Sequence, residues 1–401
     1  MSPAMDTQAP PQAPRAKRST DQEVRSLLVS VAALFFVNGM VFSNWLPRIP
    51  EVRDHLGITN QGLGLSLVGG GLGGLVGSFL VAPSLKRFGT KRVLTVAATA
   101  GALGLPLISI ANSAFLVFGA LTLIGFCDVL NDMSMNAQAV MAQRRYDRPI
   151  LNRMHGAWSL GFFVGAGVGS IARAVELSIR IHFCAVAVVL LITIYAARRG
   201  LLQSDESNPD DPDVKGKQGL RLSTSVVAMS TMAIGIAAFE STPNDWSAVV
   251  LRDMFKVENW TGLATLTFAG CMLLGRLGGD HALERFGSKR LLNAALGLTA
   301  IGGAVVIVAP AAILSIVGFG IWGLGVSVLF PQLYGTAATL PGASPGAGLA
   351  AMAVGQRFGF LAVPVVLGSI AEATTLRVGI GVVAAASMLF VLGARSQTES
   401  A

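Results

Sequence analysis

The sequence predicts an all-α integral membrane protein, twelve transmembrane helices forming two pseudo-symmetric six-helix bundles. Three observations carry this. Hydrophobic residues make up 52% of the 401 positions and charged residues 13%, about half the charged share of a soluble domain; the mean hydropathy is +0.62. Apolar stretches of about 20 residues, the length a helix needs to cross hydrocarbon, recur from end to end. One basic loop occurs twice: residues 85–94 read LKRFGTKRVL and residues 283–292 read LERFGSKRLL, an offset of 198. Each copy lies between two long apolar segments, as expected for a membrane protein built from an internal repeat.

Residues 1–24, rich in Pro, Ala and Gln with Arg15, Lys17 and Arg18, read as a disordered cytoplasmic tail. The apolar run that follows is long enough to span, which argues against a signal peptide. The first bundle occupies residues 25–199, with spans near 25–47, 60–83, 92–112, 114–142, 152–174 and 177–198. Residues 200–221 form the one long hydrophilic connection; its core, SDESNPDDPDVKGK, has no apolar periodicity and reads as a flexible linker. The second bundle occupies 222–395, with spans near 222–250, 260–282, 290–309, 311–335, 345–371 and 375–395, before a short tail at 396–401. Trp45, before the segment RIPEVRDHLGITN, parallels Trp246, before VVLRDMFKVEN, so the halves align helix by helix.

The 47 glycines suit helices whose backbones approach closely. Cys127, Cys184 and Cys271 fall inside apolar runs with no metal-ligand or disulfide spacing, so they read as packing residues. No metal and no cofactor is expected. Loop charge sets the orientation. With the N-terminus inside, 21 of the 30 basic residues are cytoplasmic, seven lie in outer segments, and Arg276 and Arg357 fall within spans. Both termini are therefore expected in the cytoplasm, in a multi-pass protein of the inner (plasma) membrane. The net charge of +8 follows from these short loops and not from a nucleic-acid surface.

With these features the chain resembles the major facilitator superfamily, over everything except the first ~24 residues. That family's loop between helices 2 and 3 reads roughly G-x-x-x-D-R-x-G-R-R/K. Here the first copy has Arg87, Gly89 and Lys91 in place, but Lys86 stands where the Asp is expected and Ala82 where the Gly is. The second copy runs G275-R276-L-G-G279-D280-H-A-L-E284-R285-F-G287 and keeps an acid, Glu284. The resemblance implies a gating role for Arg87, Gly89, Lys91, Arg276, Asp280, Glu284, Arg285 and Gly287, bracing the cytoplasmic face when the outer face is open; Lys86 weakens that in the first half. A narrower resemblance lies in D128-V-L-N-D132-M-S-M-N136 followed by R153-M-H155-G-A-W158-S159-L-G161. It is similar to the fucose-permease-like and rhizopine-transporter-like bacterial branch, which implies proton-coupled movement of small polar or sugar-like solutes.

Ionisable groups inside hydrocarbon are expensive and default to functional hypotheses. Asp128, Asp132 and Asn136 recur every four residues and share one helix face. Asp128 and Asp132 are candidate proton carriers, or braces between helices. Glu240, the deep acid of the seventh span, is their counterpart in the second half; nearby Asp245 and Trp246 read as a gate or an interfacial anchor. Arg357 does not titrate but can bind an anionic or hydroxyl-rich solute or neutralise a carboxylate. Asn38, Asn131, Trp158, Asn244, Gln356 and Arg357 are the candidate substrate contacts, because polar groups beside an aromatic face suit a sugar. Trp322, Gln332 and Tyr334 carry the same chemistry with ordinary packing as the alternative. Arg276 and Asp280, four residues apart, are expected to pair near the inner end of their helix. His155 could relay protons or simply pack.

Gly69, Gly71 and Gly74 fit a dinucleotide fingerprint, but they lie inside a span without the strand or acid it needs. No nucleophile–base pairing or metal cluster supports an enzyme. The expectation is a monomeric secondary transporter in a lipid bilayer, moving a small-molecule substrate together with H⁺ by alternating access. A proton-driven multidrug exporter and a non-transporting receptor on the same fold are the alternatives.

Overall fold

The computed structural model describes residues 21–146, 150–203, 223–338 and 347–399. Most of the linker, residues 1–20 and residues 400–401 lie outside the described residues. The first bundle contains α1 (Asp21–Ser43), α2 (Asn60–Phe88), α3 (Thr90–Ser109), α4 (Ala114–Tyr146), α5 (Leu151–Ala174) and α6 (Ile179–Ala197). The second contains α7 (Thr224–Phe255), α8 (Gly262–Phe286), α9 (Ser288–Val308), α10 (Ala312–Val326, continued by Leu329–Ala338), α11 (Ala347–Ala373) and α12 (Leu376–Glu399). Helix α1 starts within the segment read as tail, and α12 runs on into the one expected after residue 395.

Eleven of the described helices are long and apolar enough to cross a membrane. Helix α5 is not among them. At 24 residues it is long enough, but it carries Arg153, His155 and Arg173 and is diluted by five glycines. The outside of the protein is apolar: Phe79, Phe115 and Val308 are 75%, 78% and 70% exposed. Such a surface is stable against hydrocarbon and not against water.

The internal repeat is visible in the backbone. Gly89 (φ 76°, ψ 156°) ends α2, and Gly287 (φ 75°, ψ 159°) ends α8. Each donates its N–H to a leucine carbonyl four residues back, Leu85 or Leu283, at 2.9 Å. A side chain at this φ is strained, so glycine is what allows α2 and α8 to stop and reverse within one residue. The packing repeats as well. Helix α2 packs on α4 as α8 packs on α10, and α1 packs on α5 as α7 packs on α11. Close backbone approach needs glycine here: a Cβ on Gly125 (α4) would fall 1.9 Å from the Gly70 carbonyl oxygen of α2.

The two bundles meet through symmetry-related pairs, α2 on α11 and α5 on α8. Beyond α1 the chain makes a turn at Leu46–Arg48 and a short helix at Ile49–Leu56 that rest against α7. These elements close the face opposite the termini. Here Asn60 N–H donates to Glu372 at 3.1 Å, Ser170 Oγ to the Gly262 carbonyl at 3.0 Å, and Asn259 to Glu176 at 2.7 Å. The duplicated loop lies on the terminal face. The contacts between bundles named here lie toward the far face, while Asp128 of α4 and His155 of α5 are exposed, so the space between the bundles is a central cavity open toward the termini.

Candidate functional site

Asp128 sits midway along the 33-residue helix α4, yet it is open to the cavity. Its Oδ1 accepts a hydrogen bond from Asn38 Nδ2 of α1 at 2.9 Å. Asn38 Oδ1 in turn accepts from Trp158 Nε1 of α5 at 2.7 Å. One hydrogen-bonded chain, Trp158 to Asn38 to Asp128, therefore joins three helices at the cavity wall. One turn further along α4, Asp132 Oδ1 accepts from Asn136 at 3.0 Å, so the face read from the four-residue spacing is present. Arg357 of α11 lies within electrostatic range of both carboxylates. Its Nη1 donates to the Gly74 carbonyl of α2 at 3.0 Å, crossing between the bundles.

The second half supplies Glu240, 9% exposed on α7. Arg276 of α8 approaches it at 3.7 Å. The same guanidinium donates to Ser159 Oγ at 3.2 Å and lies 5.5 Å from the centre of the Trp158 ring. Both of those partners belong to the first bundle. The pairing expected between Arg276 and Asp280 is thus not formed. Asp280 is exposed near the end of its helix, where water already solvates it, whereas Glu240 is walled in and needs a counter-charge. Arg276 belongs to the cavity, and the signal for this was its own position as a charge inside a span.

Removing that counter-charge has a cost. Arg276→Gln lowers the thermal stability of the detergent-solubilised protein by leaving Glu240 unpaired, on the order of 3 kcal/mol. Glu240→Gln added to that variant recovers most of the loss. A melting point in the double variant no higher than in Arg276→Gln alone would refute the pairing.

Several candidate contacts lie elsewhere. Asn131 is only 3% exposed; it lines a cavity of about 20 Å³ behind Asp128, shared with Asn38 and Cys127 and large enough for one water. Asn244 is 6% exposed on α7, in the part of that helix covered by the closed far face. Trp322 is fully buried against Phe239 and Phe319, a core residue of the second bundle. Gln356 is half-buried beside Arg357. Gln332 accepts from Ser288 at 2.6 Å at the terminal face, and Tyr334 is half-exposed on the same helix. His155 is exposed and meets Phe35 edge-on at 5.4 Å.

The loop residues stay within their own halves in this conformation. Lys91 Nζ donates to the Leu201 carbonyl at 3.0 Å, and Gln138 bonds Thr90 and Leu202 alongside it. Arg87 lies over Phe88 at 5.2 Å and Arg285 over Phe286 at 5.5 Å, a repeated contact in a repeated sequence. Glu284 is exposed. Among the described residues no group of three or more His, Cys, Asp or Glu could hold a metal.

The fold and cavity agree with sequence comparison: the Major Facilitator Superfamily model matches residues 31–364. The chain belongs to this superfamily. It is 28% identical over 377 residues to an uncharacterized MFS-type transporter of Yersinia pestis, covering 92% of this chain and 96% of the relative. It is 26% identical over 376 residues to the membrane protein MosC of Rhizobium meliloti, covering 90% and 89%. Among solved structures, the nucleoside transporter NupG superposes with a TM-score of 0.72 at 15% identity, covering 92% of this chain and 98% of that one. A bacterial homolog of the lysosomal transporter Spinster gives 0.70 at 9% identity, covering 95% and 97%. These likenesses fix the fold: a multi-pass membrane protein of a transporter superfamily.

Proposed function

We propose that this superfamily member is a secondary active transporter of a small polar, sugar-like solute, driven by protons and working by alternating access. The reading is supported above all by the Trp158–Asn38–Asp128 chain at the cavity wall. It couples an aromatic ring and an amide, which suit a hydroxyl-rich solute, to a carboxylate that can gain or lose a proton. Asp128, Asp132 and Glu240 are the proton-coupling groups. Asn38, Trp158, Gln356 and Arg357 are the solute contacts, with Arg276 added to them. Asn131 supports Asp128 from behind, and Asn244 becomes available when the far face opens. A neutral carboxylate lowers the cost of closing the cavity around it, so proton binding permits the reorientation that carries the solute across.

The positive-inside distribution supports a cytoplasmic terminal face, in a protein that belongs on this reading to the inner membrane. On that orientation the present conformation opens inward. Arg87, Gly89 and Lys91 of the first loop, with Asp280, Glu284, Arg285 and Gly287 of the second, then brace the cytoplasmic face in the outward-open state. A monomer suffices for this cycle.

A second reading, export of lipophilic cations, is favoured by one observation. Three carboxylates (Asp128, Asp132 and Glu240) face two guanidiniums (Arg276 and Arg357), leaving one negative charge over. A thermal-shift screen separates the two. A ligand of the folded state at 100 times its Kd adds about 2.7 kcal/mol. Stabilisation by a sugar or polyol supports the proposal, and stabilisation by lipophilic cations alone overturns it in favour of export. Uptake into sealed vesicles then tests transport, since binding without accumulation would mark a receptor.

A further inference from the structure

The dipeptide Arg-Asp occurs at 53–54 and again at 252–253, an offset of 199 that nearly equals the 198 of the duplicated loop. The two copies lie in the segments following Trp45 and Trp246, on the far face. In the structure each copy engages the other. Arg53 grips Asp253 with both terminal nitrogens, at 2.5 and 2.7 Å. Arg252 Nε donates to Asp54 Oδ2 at 3.0 Å. Arg53 also holds its own neighbour Asp54 at 2.8 Å. The result is a continuous chain, Asp253–Arg53–Asp54–Arg252, that crosses between the bundles twice.

This contact is isologous: one patch meets its own copy, as at a two-fold dimer interface, except that here both copies belong to one chain. The two crossings are unequal. The Arg53 side chain is 11% exposed and its pair with Asp253 is bidentate, the arrangement with the best geometry for a guanidinium. The Arg252 side chain is 31% exposed and is shared with Glu258 at 3.2 Å, so that pair is screened by salt and contributes less.

We propose that the duplicated Arg-Asp dipeptide is the latch of the far face, and that its two crossings break and form together. This inference rests on the alternating-access reading but not on any solute or proton assignment. Both crossings are related by the internal pseudo-two-fold axis, so a rotation that separates the bundles at the far face parts both at once. The Arg53–Asp253 crossing holds the closed state, and the Arg252–Asp54 crossing fixes the register.

The test is a distance measured by pulsed electron spin resonance between labels at His55→Cys and Lys256→Cys. Both sites are exposed on the far face of opposite bundles, and the native cysteines are removed. Arg53→Asp places three acids at the crossing and shifts the distribution to longer distances. Arg53→Asp with Asp253→Arg restores that crossing with its charges exchanged and returns the short distance, which also shows that the chain folds. An unchanged distance in Arg53→Asp overturns the latch, as does a charge exchange that stays long. Should Arg53→Asp fail to fold, Arg252→Asp with and without Asp54→Arg applies the same criterion to the other crossing. Because the readout is distance and not flux, a negative result leaves the proposed solute and proton chemistry standing.

Discussion

Asp128→Asn abolishes gradient-driven accumulation of the transported solute while leaving solute exchange across the membrane in place. The asparagine keeps the size of the side chain and an oxygen that can still accept from Asn38 Nδ2, the bond that measures 2.9 Å in the native protein. The Trp158–Asn38 bond at 2.7 Å is not touched. What is lost is the group proposed to change its charge with the proton. A carrier fixed in the neutral form can reorient with or without a proton, so it equilibrates the solute but cannot concentrate it. Uptake into energised vesicles should fall to the equilibrium level, whereas counterflow of labelled solute continues. Accumulation at the native level in Asp128→Asn would remove Asp128 from the coupling mechanism.

Gly64→Ala and Gly125→Ala should have opposite signatures although both replace a glycine at a helix crossing. A Cβ on Gly64 of α2 would fall 2.2 Å from the Pro364 carbonyl oxygen of α11. That contact lies between bundles and, on the proposed alternating-access cycle, exists only while the far face is closed. A Cβ on Gly125 would fall 1.9 Å from the Gly70 carbonyl oxygen, inside the first bundle, where α2 and α4 stay packed in every state. Overpacking of this kind costs about 1–3 kcal/mol. At Gly64 the cost falls on one conformation, which shifts the balance toward the far-face-open state by about 5- to 150-fold, since 1.4 kcal/mol is tenfold. At Gly125 it falls on the fold. With Asn244→Cys as a reporter, buried at 6% exposure in the closed state, Gly64→Ala should speed labelling by a membrane-impermeant maleimide with little loss of melting temperature. Gly125→Ala should lower the melting temperature without speeding the labelling. Equal labelling rates in the two variants would show that α2 and α11 do not part during the cycle.

Much of the architecture could be read from the chain because it depends on periodic quantities. Apolar run length set the spans, and the duplicated LKRFGTKRVL/LERFGSKRLL loop set the symmetry, down to matching dihedral angles at Gly89 and Gly287. The face shared by Asp128, Asp132 and Asn136 follows from four-residue spacing alone. The break in α10 after Val326 has a mark in the chain as well: Pro331 has no N–H for a helix running straight through, and it sits in the first turn of the continuing piece, Leu329–Ala338.

The pairings between helices were decided by the tertiary structure. Spacing along α8 made Asp280 the natural partner of Arg276, but spacing records only neighbours on one helix. The guanidinium instead meets Glu240, Ser159 and Trp158, which come from other helices and two different bundles. Asn131 and Asn244 have the same residue type as Asn38, yet the wall of α1, α3 and α4 and the closed far face remove them from the open cavity. Which face is closed depends on how two rigid bundles lean on each other, a difference of packing between two states of a single sequence. The sequence by itself determined that there are two bundles, where the chain crosses the membrane and which charges it carries there. Only the tertiary structure decided which of those charges meet, because burial makes a charge seek a partner through space and not along the chain.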